Sequence, residues 1–434
     1  MSIHFIGIGG IGTSALARYF VLKGYQVSGS DATESEITKA LAKEGVRIFV
    51  GHKESNIKTS DLVIYSAAVA ADNLELVKAK KLGLKVQSYA EALGELTKKY
   101  FTIAVSGSHG KSTTTALLSL VLVEAGFAPT VIVGTKLREF GDSNFRAGKS
   151  EYLVIESDEY NRSFHSYYPK IVVLTNVGKE HLDTYGGIAG VKIGFLKYLK
   201  NLSEDGIVFA NWADRNSREV VNKSGRKTVF YNRGPFQKHN LKILGFHNQL
   251  NAEAVWQTAR HLGIKRSLVE KVLSKYRGAW RRMEKIRPGK KTFQGFEIYS
   301  DYAHHPTEIQ ATLGGIRQKY PTRKIVCIFQ PHQQDRLTRL YAEFKKCFPD
   351  ADELILMPEY VVKGREGYLK KVKTSYELAV DLSKSLPQSR LNKVTYQKDF
   401  DGLEQVLSSR KYKKGTLLVF MGAGSIDNWA KKNL

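Results

Sequence analysis

The sequence is poor in cysteine and has no long apolar run. Its 434 residues include only Cys327 and Cys347, which excludes a disulfide framework and a cysteine-based metal site and is typical of a protein of the reducing cytoplasm. No apolar stretch approaches the roughly 20 residues of a membrane-spanning helix. The N-terminal IHFIGIGGIG lacks the basic start of a signal peptide, and its glycines indicate a strand and a turn. We therefore expect a cytoplasmic protein without a membrane span.

Acidic residues are scarce relative to basic ones. The chain has 67 Lys and Arg against 42 Asp and Glu, a formal net charge of +25, and such an excess can indicate a nucleic-acid partner. The lysines are nevertheless scattered along the whole chain, and no DNA- or RNA-binding signature accompanies them. General basicity combined with anionic small substrates therefore explains the charge better than nucleic acid does.

Apolar residues are abundant enough for several cores. They make up 42% of the chain, with 11% aromatic residues, and the length suggests about three domains. Strand-like and helix-like segments alternate, which predicts an α/β fold with parallel sheets. We predict a Rossmann-like N-terminal domain over residues 1–97, a central α/β domain of the P-loop ATPase type over 98–283 and a Rossmann-like C-terminal domain over 284–434.

The segment FTIAVSGSHGKSTTT, Phe101–Thr115, carries the strongest functional signal. A short β-branched strand leads into a glycine turn and a helix start, an order in which backbone N–H groups cradle phosphates. A lysine there can reach the β- and γ-phosphates, and a hydroxyl can bind Mg²⁺. Val105 stands where the strict P-loop has glycine, so the loop is a shorter variant, G-x-x-G-K-S. We predict nucleotide binding by Ser106, Gly107, Ser108, His109, Gly110, Lys111, Ser112 and Thr113.

A second glycine loop lies near the N-terminus. Gly7, Gly9, Gly10 and Gly12 follow a strand and open a helix, and Asp31 ends the next strand. This spacing satisfies the dinucleotide-binding fingerprint and, taken alone, favours an NAD-dependent dehydrogenase. Two phosphate loops in one chain instead imply two phosphorylated ligands, which makes a simple dehydrogenase a weaker interpretation.

Polar residues follow two strands of the central region. The acidic run Glu156–Glu159 ends the strand YLVI, and Asn176, Glu180 and His181 follow the strand IVVLTN. Because the carboxyl ends of parallel strands meet at one sheet edge, these groups can assemble a Mg²⁺ site beside the phosphate loop. The alternatives are a solvated acidic turn and an ordinary surface histidine.

Two similar polar turns occur in the last third of the chain. The run DYAHHPTE, residues 301–308, follows one strand, and FQPH with Arg336 follows the next. Two polar strand ends that face one direction indicate a substrate-side wall. Upstream, Arg281 and Arg282 are either an anion clamp or an exposed basic pair. Asn248 lies at a helix start, where asparagine can cap the helix or contact an adenine edge.

The motifs of this chain occur in the order that is typical of the Mur ligase family, the ATP-dependent amide-forming enzymes of peptidoglycan synthesis. They are HFIGIGGIG, GSHGKSTTT, SDEYNRSF, TNVGKEHLD, GFHNQLNAEA, RRMEK, DYAHHPTEI, FQPH and MGAGSID. The resemblance covers essentially the whole chain and is far more specific than any single motif. It implies a UDP-sugar-binding N-terminal domain, a central ATP-binding domain and a C-terminal ligase domain.

The resemblance also implies the reaction and the site. ATP would phosphorylate the lactyl carboxylate of UDP-N-acetylmuramate, and the amine of L-alanine would attack the acyl phosphate. The implied catalytic residues are Lys111, His181 and Arg282. The implied Mg²⁺ ligands are Ser112, Glu156 and His181. Nucleotide contacts would come from the phosphate loop with Asn248, Asp301 and His304. Substrate contacts would come from Gly7, Gly9, Gly10, Gly12, Asp31, His332 and Arg336.

Alternatives stay open at this point. Tyr160 gives SDEY in place of the family's SDES, which leaves a recycling ligase that attaches a tripeptide as the nearest alternative. An NAD-dependent dehydrogenase, a nucleic-acid-associated ATPase and a binding-only descendant of a ligase represent other classes. We expect small-molecule partners, no nucleic acid, and a monomer or weak homodimer.

Overall fold

The structure is a computed structural model that describes residues 1–58, 60–234, 238–361, 372–387, 389–410 and 412–434. The described residues form two compact units. Unit 1 comprises Met1–Asn240 and Gln249–Tyr276, and unit 2 comprises Leu241–Asn248 and Arg277–Leu434. Unit 1 contains two of the sheets found in the described residues and unit 2 contains the third.

The first sheet of unit 1 is parallel throughout. Its strands are β1 (Ser2–Ile6), β2 (Gln26–Asp31), β3 (Arg47–Val50), β4 (Leu62–Tyr65) and β5 (Lys85–Ser88). The helices between and after them are α1 (Ile11–Leu22), α2 (Glu36–Lys43), α3 (Leu74–Lys81) and α4 (Tyr89–Thr97). The spatial order of the strands is β3-β2-β1-β4-β5. The chain adds β2 and β3 on one side of β1 and then crosses to the other side to add β4 and β5, so the strand order reverses between β1 and β4. Open α/β sheets bind ligands beyond the strand ends at such a reversal, which is where the glycine loop after β1 lies.

The second sheet of unit 1 has the phosphate-loop strand at its centre. Its strands are β6 (Phe101–Ser106), β7 (Thr130–Leu137), β8 (Ser143–Arg146), β9 (Tyr152–Ser157), β10 (Ile171–Leu174), β11 (Ile207–Asn211) and β12 (Thr228–Tyr231). Its helices are α5 (Lys111–Glu124), α6 (Leu182–Tyr185), α7 (Ile188–Leu199), α8 (Arg215–Ser224), α9 (Phe246–His261) and α10 (Arg266–Lys275). The order is β12-β11-β10-β6-β9-β7-β8, and β8 alone among these described strands is antiparallel to its neighbour.

The sheet of unit 2 repeats this design. Its strands are β13 (Glu284–Ile286), β14 (Glu297–Asp301), β15 (Ile325–Phe329), β16 (Glu353–Leu356), β17 (Lys393–Tyr396) and β18 (Leu417–Met421). Its helices are α11 (Pro306–Lys319), α12 (Gln334–Arg339), α13 (Tyr341–Phe344), α14 (Ser375–Lys384), α15 (Phe400–Ser409) and α16 (Ile426–Asn433). The order is β13-β14-β18-β15-β16-β17, with β13 antiparallel to β14.

The central strands are apolar on both faces because helices cover both sides of each sheet. Residues Ile103–Val105 of β6 and all of β15 and β18 are buried. In unit 1 one continuous cluster of buried residues runs through both sheets and includes Phe5, Leu16 and Phe164. The two sheets of unit 1 therefore share a core.

The predicted α/β class with three sheets is confirmed, while the domain boundaries stay predictions. Sequence analysis did not anticipate β8, β12, β13 and β17, the edge strands of the second and third sheets. Each is three or four residues long and mostly half-exposed, because an edge strand has one neighbour and needs no continuous apolar run. Among the described helices, none combines the length and the apolar character that crossing a membrane requires.

Candidate functional site

Strand register brings three loops of unit 1 to one edge of the second sheet. Ser106, the last residue of β6, pairs with Ser157 of β9 on one side and with Leu174 of β10 on the other. The chain therefore leaves all three strands at the same height, and the segments that begin at Gly107, Asp158 and Thr175 become neighbours. This arrangement gathers the phosphate loop, the acidic run and the polar turn before His181 at one place.

Two glycines of the phosphate loop, Gly107 and Gly110, cannot be replaced without strain. They have φ of +132° and +84°, a region that side chains other than glycine rarely adopt. A Cβ on Gly107 would collide with Oγ1 of Thr175, and one on Gly110 would lie 2.5 Å from Oδ1 of Asn251. The loop is therefore packed tightly from both sides.

The helix that follows the loop has an open N-terminus. α5 begins at Lys111, none of the described side chains caps it, and its first turn contains no acidic residue. The positive end of its dipole therefore faces the loop without an acidic residue in the helix's own first turn. Such a terminus is a ready site for a phosphate group.

Side chains from the strand beside the loop hold the loop in shape. The N–H of His109 donates to Oδ1 of Asn176 at 2.9 Å, and Nδ2 of Asn176 donates back to the carbonyl of His109 at 2.9 Å. Thr175 Oγ1 also donates to that carbonyl, at 2.6 Å. The N–H of Gly178 donates to Oγ of Ser108 at 2.8 Å. The loop is thus prearranged before any ligand arrives.

Lys111 holds a fixed positive charge at the centre of the loop. Its Nζ donates to Oε2 of Glu159 at 2.8 Å and to the carbonyl of Gly107 at 2.7 Å, and it lies 3.5 Å from Oδ1 of Asp158. Burial alone would lower the pKa of Lys111, but the charges of Glu159, Asp158 and Glu156 outweigh it and raise the pKa above its ordinary value. The ammonium therefore stays charged at every physiological pH.

Glu159 is the buried partner of that lysine. Its side chain is fully buried, and within the described ranges its Oε1 has no hydrogen-bond partner. Burial raises the pKa of Glu159 above its ordinary value, although the charge of Lys111 opposes the shift. In the sequence, Glu159 belongs to the acidic run that we expected at a Mg²⁺ site, and it was given no role of its own.

The predicted metal ligands fall into two groups. Oγ of Ser112 donates to Oε1 of Glu156 at 3.0 Å, and the N–H of Gly134 holds the other carboxylate oxygen at 2.9 Å. His181 has φ of +51° and ring contact with Tyr160 at 4.9 Å.

The group around His181 also contains Asp158 and Glu159, which were not among the individually predicted ligands. One candidate ligand atom from each of Asp158, Glu159 and His181 lies within 4.8 Å of the others. Asp158 and Glu159 follow β9 directly, so the sequence signal was available in the same strand end that pointed to Glu156.

The N-terminal glycine loop of unit 1 also leads into a helix with an open start. Gly7 has φ of +78°, and its N–H donates to the carbonyl of Ser30 at 2.8 Å. The N–H of Gly9 donates to Oδ2 of Asp31 at 2.8 Å. α1 begins at Ile11 with no cap from a described side chain and no acidic residue in its first turn. Asp31 therefore shapes the loop with one of its two carboxylate oxygens.

The ring of Tyr89 lies directly over Gly12. A Cβ on Gly12 would come within 2.8 Å of Cζ and the hydroxyl of Tyr89. Tyr89 is the first residue of α4 and was not predicted from the sequence. Only tertiary packing brings the residue that follows β5 next to the glycine loop that follows β1.

In unit 2, the predicted residue Asp301 is held by the backbone. Its Oδ1 accepts from the N–H of Ala303 and its Oδ2 from the N–H of Met283, both at 2.8 Å. Burial raises the pKa of Asp301 against the opposing charge of Arg282. The guanidinium of Arg282 lies 5.0 Å from the ring centre of Tyr302. Arg282, which precedes β13, thus lies beside the end of β14, where Asp301 is the last residue.

Three further predicted residues of unit 2 come together. The rings of His304 and His332 are 5.7 Å apart, Nη1 of Arg336 lies 3.5 Å from Nδ1 of His332, and Tyr360 stacks on His332 at 5.7 Å. Tyr360 was not predicted, since nothing in its local sequence marks it.

Asn248 lies in the first turn of α9, where its Nδ2 donates to the carbonyl of Leu244 at 2.6 Å.

Family models match three successive parts of the chain. "Mur ligase family, catalytic domain" matches residues 2–101, "Mur ligase middle domain" matches 105–260 and "Mur ligase, glutamate ligase domain" matches 281–424. The chain belongs to the Mur ligase family.

This Mur ligase has full-length relatives. It is 35% identical to the UDP-N-acetylmuramate--L-alanine ligase of Clostridium botulinum strain Kyoto, over 98% of this chain and 95% of that protein. It is 36% identical to the enzyme of the same name from Caldanaerobacter subterraneus, over 100% and 97%. The crystal structure of UDP-N-acetylmuramate-alanine ligase MurC from Thermotoga maritima superposes with a TM-score of 0.81 at 29% identity, covering 100% of this chain and 98% of that one.

Proposed function

We propose that this Mur ligase joins L-alanine to the lactyl carboxylate of UDP-N-acetylmuramate and converts ATP to ADP and phosphate. The observation that carries the proposal is its similarity, over nearly its whole length, to enzymes named for that reaction. The geometry of unit 1 supports the ATP-dependent step, because a phosphate loop, an invariantly charged lysine and several carboxylates converge at one sheet edge.

The proposed reaction has two steps. A carboxylate oxygen of the lactyl group forms a bond to the γ-phosphorus of ATP, the bond to the β–γ bridging oxygen breaks, and ADP leaves. The neutral amine of L-alanine then attacks the acyl carbon, the bond from that carbon to the phosphate oxygen breaks, and phosphate leaves while the nitrogen loses a proton. Both steps depend mainly on positioning and on neutralising phosphate charge.

Lys111 and the loop would supply most of that neutralisation. The open N-terminus of α5 and the loop N–H groups would hold the β- and γ-phosphates, and the ammonium of Lys111 would move from Glu159 toward the transferred phosphate. The lysine is already oriented by Gly107 and Glu159. The contact with the carbonyl of Gly107 would keep the ammonium at the loop while its bond to Glu159 is exchanged for one to the phosphate.

The donor set fits Mg²⁺. Ser112 and Glu156 present a hydroxyl and a carboxylate within hydrogen-bond distance, which are the hard oxygen ligands that Mg²⁺ takes alongside nucleotide phosphates. His181 with Asp158 and Glu159 would hold a second ion. When bound, the ions neutralise the charge that develops on the phosphate oxygens. Glu156 is kept in place for this role by the N–H of Gly134.

The remaining predicted residues would bind the other substrates. The loop Gly7–Gly12 with Asp31 would take the UDP diphosphate at the open start of α1, which replaces the dinucleotide interpretation. We assign the nucleotide to Asn248, Asp301, His304 and Arg282, and the amino-acid side to His332 and Arg336.

Phosphate release tests the proposal directly. Purified protein is incubated with ATP, Mg²⁺ and UDP-N-acetylmuramate, with each of a panel of L-amino acids or with a peptidoglycan tripeptide as the acceptor. We expect release with L-alanine together with a product heavier by one alanyl residue in mass spectrometry. Release with the tripeptide alone would identify the recycling ligase, and release with none of the acceptors would refute both.

A further inference from the structure

His239 lies between two carboxylates in unit 1. Its Nδ1 is 2.7 Å from Oε1 of Glu270, and its Nε2 is 2.9 Å from Oε2 of Glu253. The imidazole side chain is fully buried. Neither sequence analysis nor the proposed reaction assigns a role to this histidine.

Two carboxylate contacts favour a protonated ring. A neutral imidazole has one N–H, so one of its nitrogens would direct a lone pair at a carboxylate, whereas an imidazolium donates from both nitrogens. Burial alone would lower the pKa of His239, but the hydrogen bonds and charges of Glu253 and Glu270 outweigh it and raise the pKa above 6.5. The same hydrogen bonds lower the pKa of Glu253 against its own burial.

The other groups that face this site leave its charge balanced. Nε of Arg266 lies 3.6 Å from Oε1 of Glu270, and Nε2 of Gln257 donates to Oε1 of Glu253 at 2.8 Å. One imidazolium and one guanidinium thus meet two carboxylates. Loss of the imidazolium proton leaves a carboxylate that is no longer matched, which is costly at a buried site.

The backbone of His239 is tied to the same helix. Its N–H donates to Oε1 of Gln249 at 2.8 Å, and its carbonyl accepts from Nε2 of Gln249 at 3.1 Å. Gln249 and Glu253 are one turn apart on α9, and Glu270 lies on α10. We call His239, Glu253 and Glu270 the histidine clamp, since they join two helices and the segment before them.

His239 contacts α9 on both sides of Asn251, the residue at which this helix meets the phosphate loop. Asn251 lies between Gln249 and Glu253 on that helix, and its Oδ1 would be 2.5 Å from a Cβ on Gly110. Gly110 is the residue immediately before α5. Movement of α9 by a fraction of an ångström would therefore change the packing of the loop.

We propose that His239 is a positioning residue for nucleotide binding, holding Asn251 of α9 against Gly110 as long as its ring is protonated. The inference rests on the proposed function only in taking a nucleotide as the ligand of the phosphate loop. Loss of the proton loosens α9 and weakens binding without touching the reacting groups.

The sign of the pH dependence follows from the direction of the shift. Because the pKa of His239 is raised in the folded protein, the stabilisation is complete below 6.5 and is lost as pH rises through the folded value. The contribution of His239 to nucleotide affinity should therefore be greatest below pH 6.5 and decline as pH rises through the raised pKa of His239.

The test is equilibrium binding of ADP with Mg²⁺, measured by calorimetry from pH 6.5 to 9.5, for the full chain and for His239→Gln. We expect the variant to bind about tenfold more weakly at pH 7, a loss typical of a broken buried charge-assisted contact. The ratio of the two affinities should approach one at high pH. The matched control is His261→Gln, an exposed histidine on the last turn of α9, which should keep the wild-type profile.

A ratio that is one at pH 7, or that stays constant across the range, would overturn the inference. If His239→Gln does not fold, Glu270→Gln serves instead. It keeps an acceptor for Nδ1 but removes a charge, and should move the wild-type transition down by about one pH unit. An unmoved transition would overturn the clamp. Ligation is not part of this readout, so failure of the enzyme to use L-alanine would leave the clamp standing.

Discussion

The two glycine loops of unit 1 share one backbone design but differ in the side chains around them. Each follows a strand of a parallel sheet and opens a helix whose N-terminus no described side chain caps. The N-terminal loop has no lysine, and the carboxylate of Asp31 accepts from the N–H of Gly9. The phosphate loop adds Lys111 and faces Glu156 and Glu159. A strand–glycine–helix turn by itself suits the binding of an anion, and only the phosphate loop adds the charged side chains that the proposed chemistry on the anion would need.

The loops also differ in how they are supported. The phosphate loop is held from the side by Thr175 and Asn176 of the adjacent strand end. The N-terminal loop is held by Ser30 of the neighbouring strand β2. The carbonyl of Ser30 accepts from the N–H groups of Gly7 and Ile8, and its Oγ donates to the buried Glu75 at 2.8 Å. One loop is prearranged by side chains that follow the adjacent strand, Thr175 and Asn176, and the other by the interior of its own sheet.

Removing the lysine should erase the largest difference between the loops. For Lys111→Met we expect kcat to fall by at least about 10³-fold, because the charge that neutralises the transferred phosphate is lost. Glu159 can take up a proton when the lysine is gone, so the thermal midpoint should change little. Steady-state phosphate release measures the effect, with the exposed Lys149→Met as control. A variant that kept a tenth of the activity would remove Lys111 from the chemistry.

Neutralising Glu156, the carboxylate proposed to bind metal, should give the next largest effect. Glu156→Gln keeps a group that can bond to Ser112 and Gly134 but loses the charge. We expect kcat to fall about 10²-fold and the Mg²⁺ concentration for half-maximal rate to rise, since Mg²⁺ prefers carboxylate oxygen. A Mg²⁺ titration of the rate measures this. An unchanged Mg²⁺ requirement would contradict the role proposed for Glu156.

The N-terminal loop should respond through stability rather than rate. Glu75 bonds to His4, Ser30 and Asn56; burial opposes its ionisation, but these bonds outweigh burial and lower its pKa. Glu75→Gln should therefore cost about 2 kcal/mol of unfolding free energy at pH 7. The difference should shrink as pH falls below 4.5, where the wild-type carboxylate takes up a proton. Thermal midpoints at pH 7 and pH 4 measure it, and a difference that grows in acid would reverse the sign.

A substitution at Asp31 should have the smallest effect, and it should change the KM of only one of the two phosphorylated substrates. Asp31→Asn weakens the bond from the N–H of Gly9, and we expect KM for UDP-N-acetylmuramate to rise about fivefold, the equivalent of roughly 1 kcal/mol. KM for ATP should stay constant, because the phosphate loop has its own supports. Initial rates at varied concentrations of each substrate provide the measurement. A rise in KM for ATP alone would exchange the assignments of the two loops.

Much of the fold and part of the site could be predicted from sequence. The apolar residues Ile103–Val105 predict β6, because a strand that is buried on both faces must be apolar. Gly107 and Gly110 predict the turn, because glycine adopts the positive φ that the turn needs. β8 and β13 were missed, since edge strands need no such run. Tyr89 and Tyr360 were missed because each reaches its site from a distant part of the chain.

By itself, the sequence determined the order of strands and helices, the two glycine loops and the residue types available at each strand end. These depend on local backbone preference and on burial, which act over a few residues. Tertiary structure alone decided which groups meet: Lys111 with Glu159, His181 with Asp158, and His239 with Glu253 and Glu270. Each pairing joins residues from different elements, so it depends on strand register and helix packing that no local pattern records.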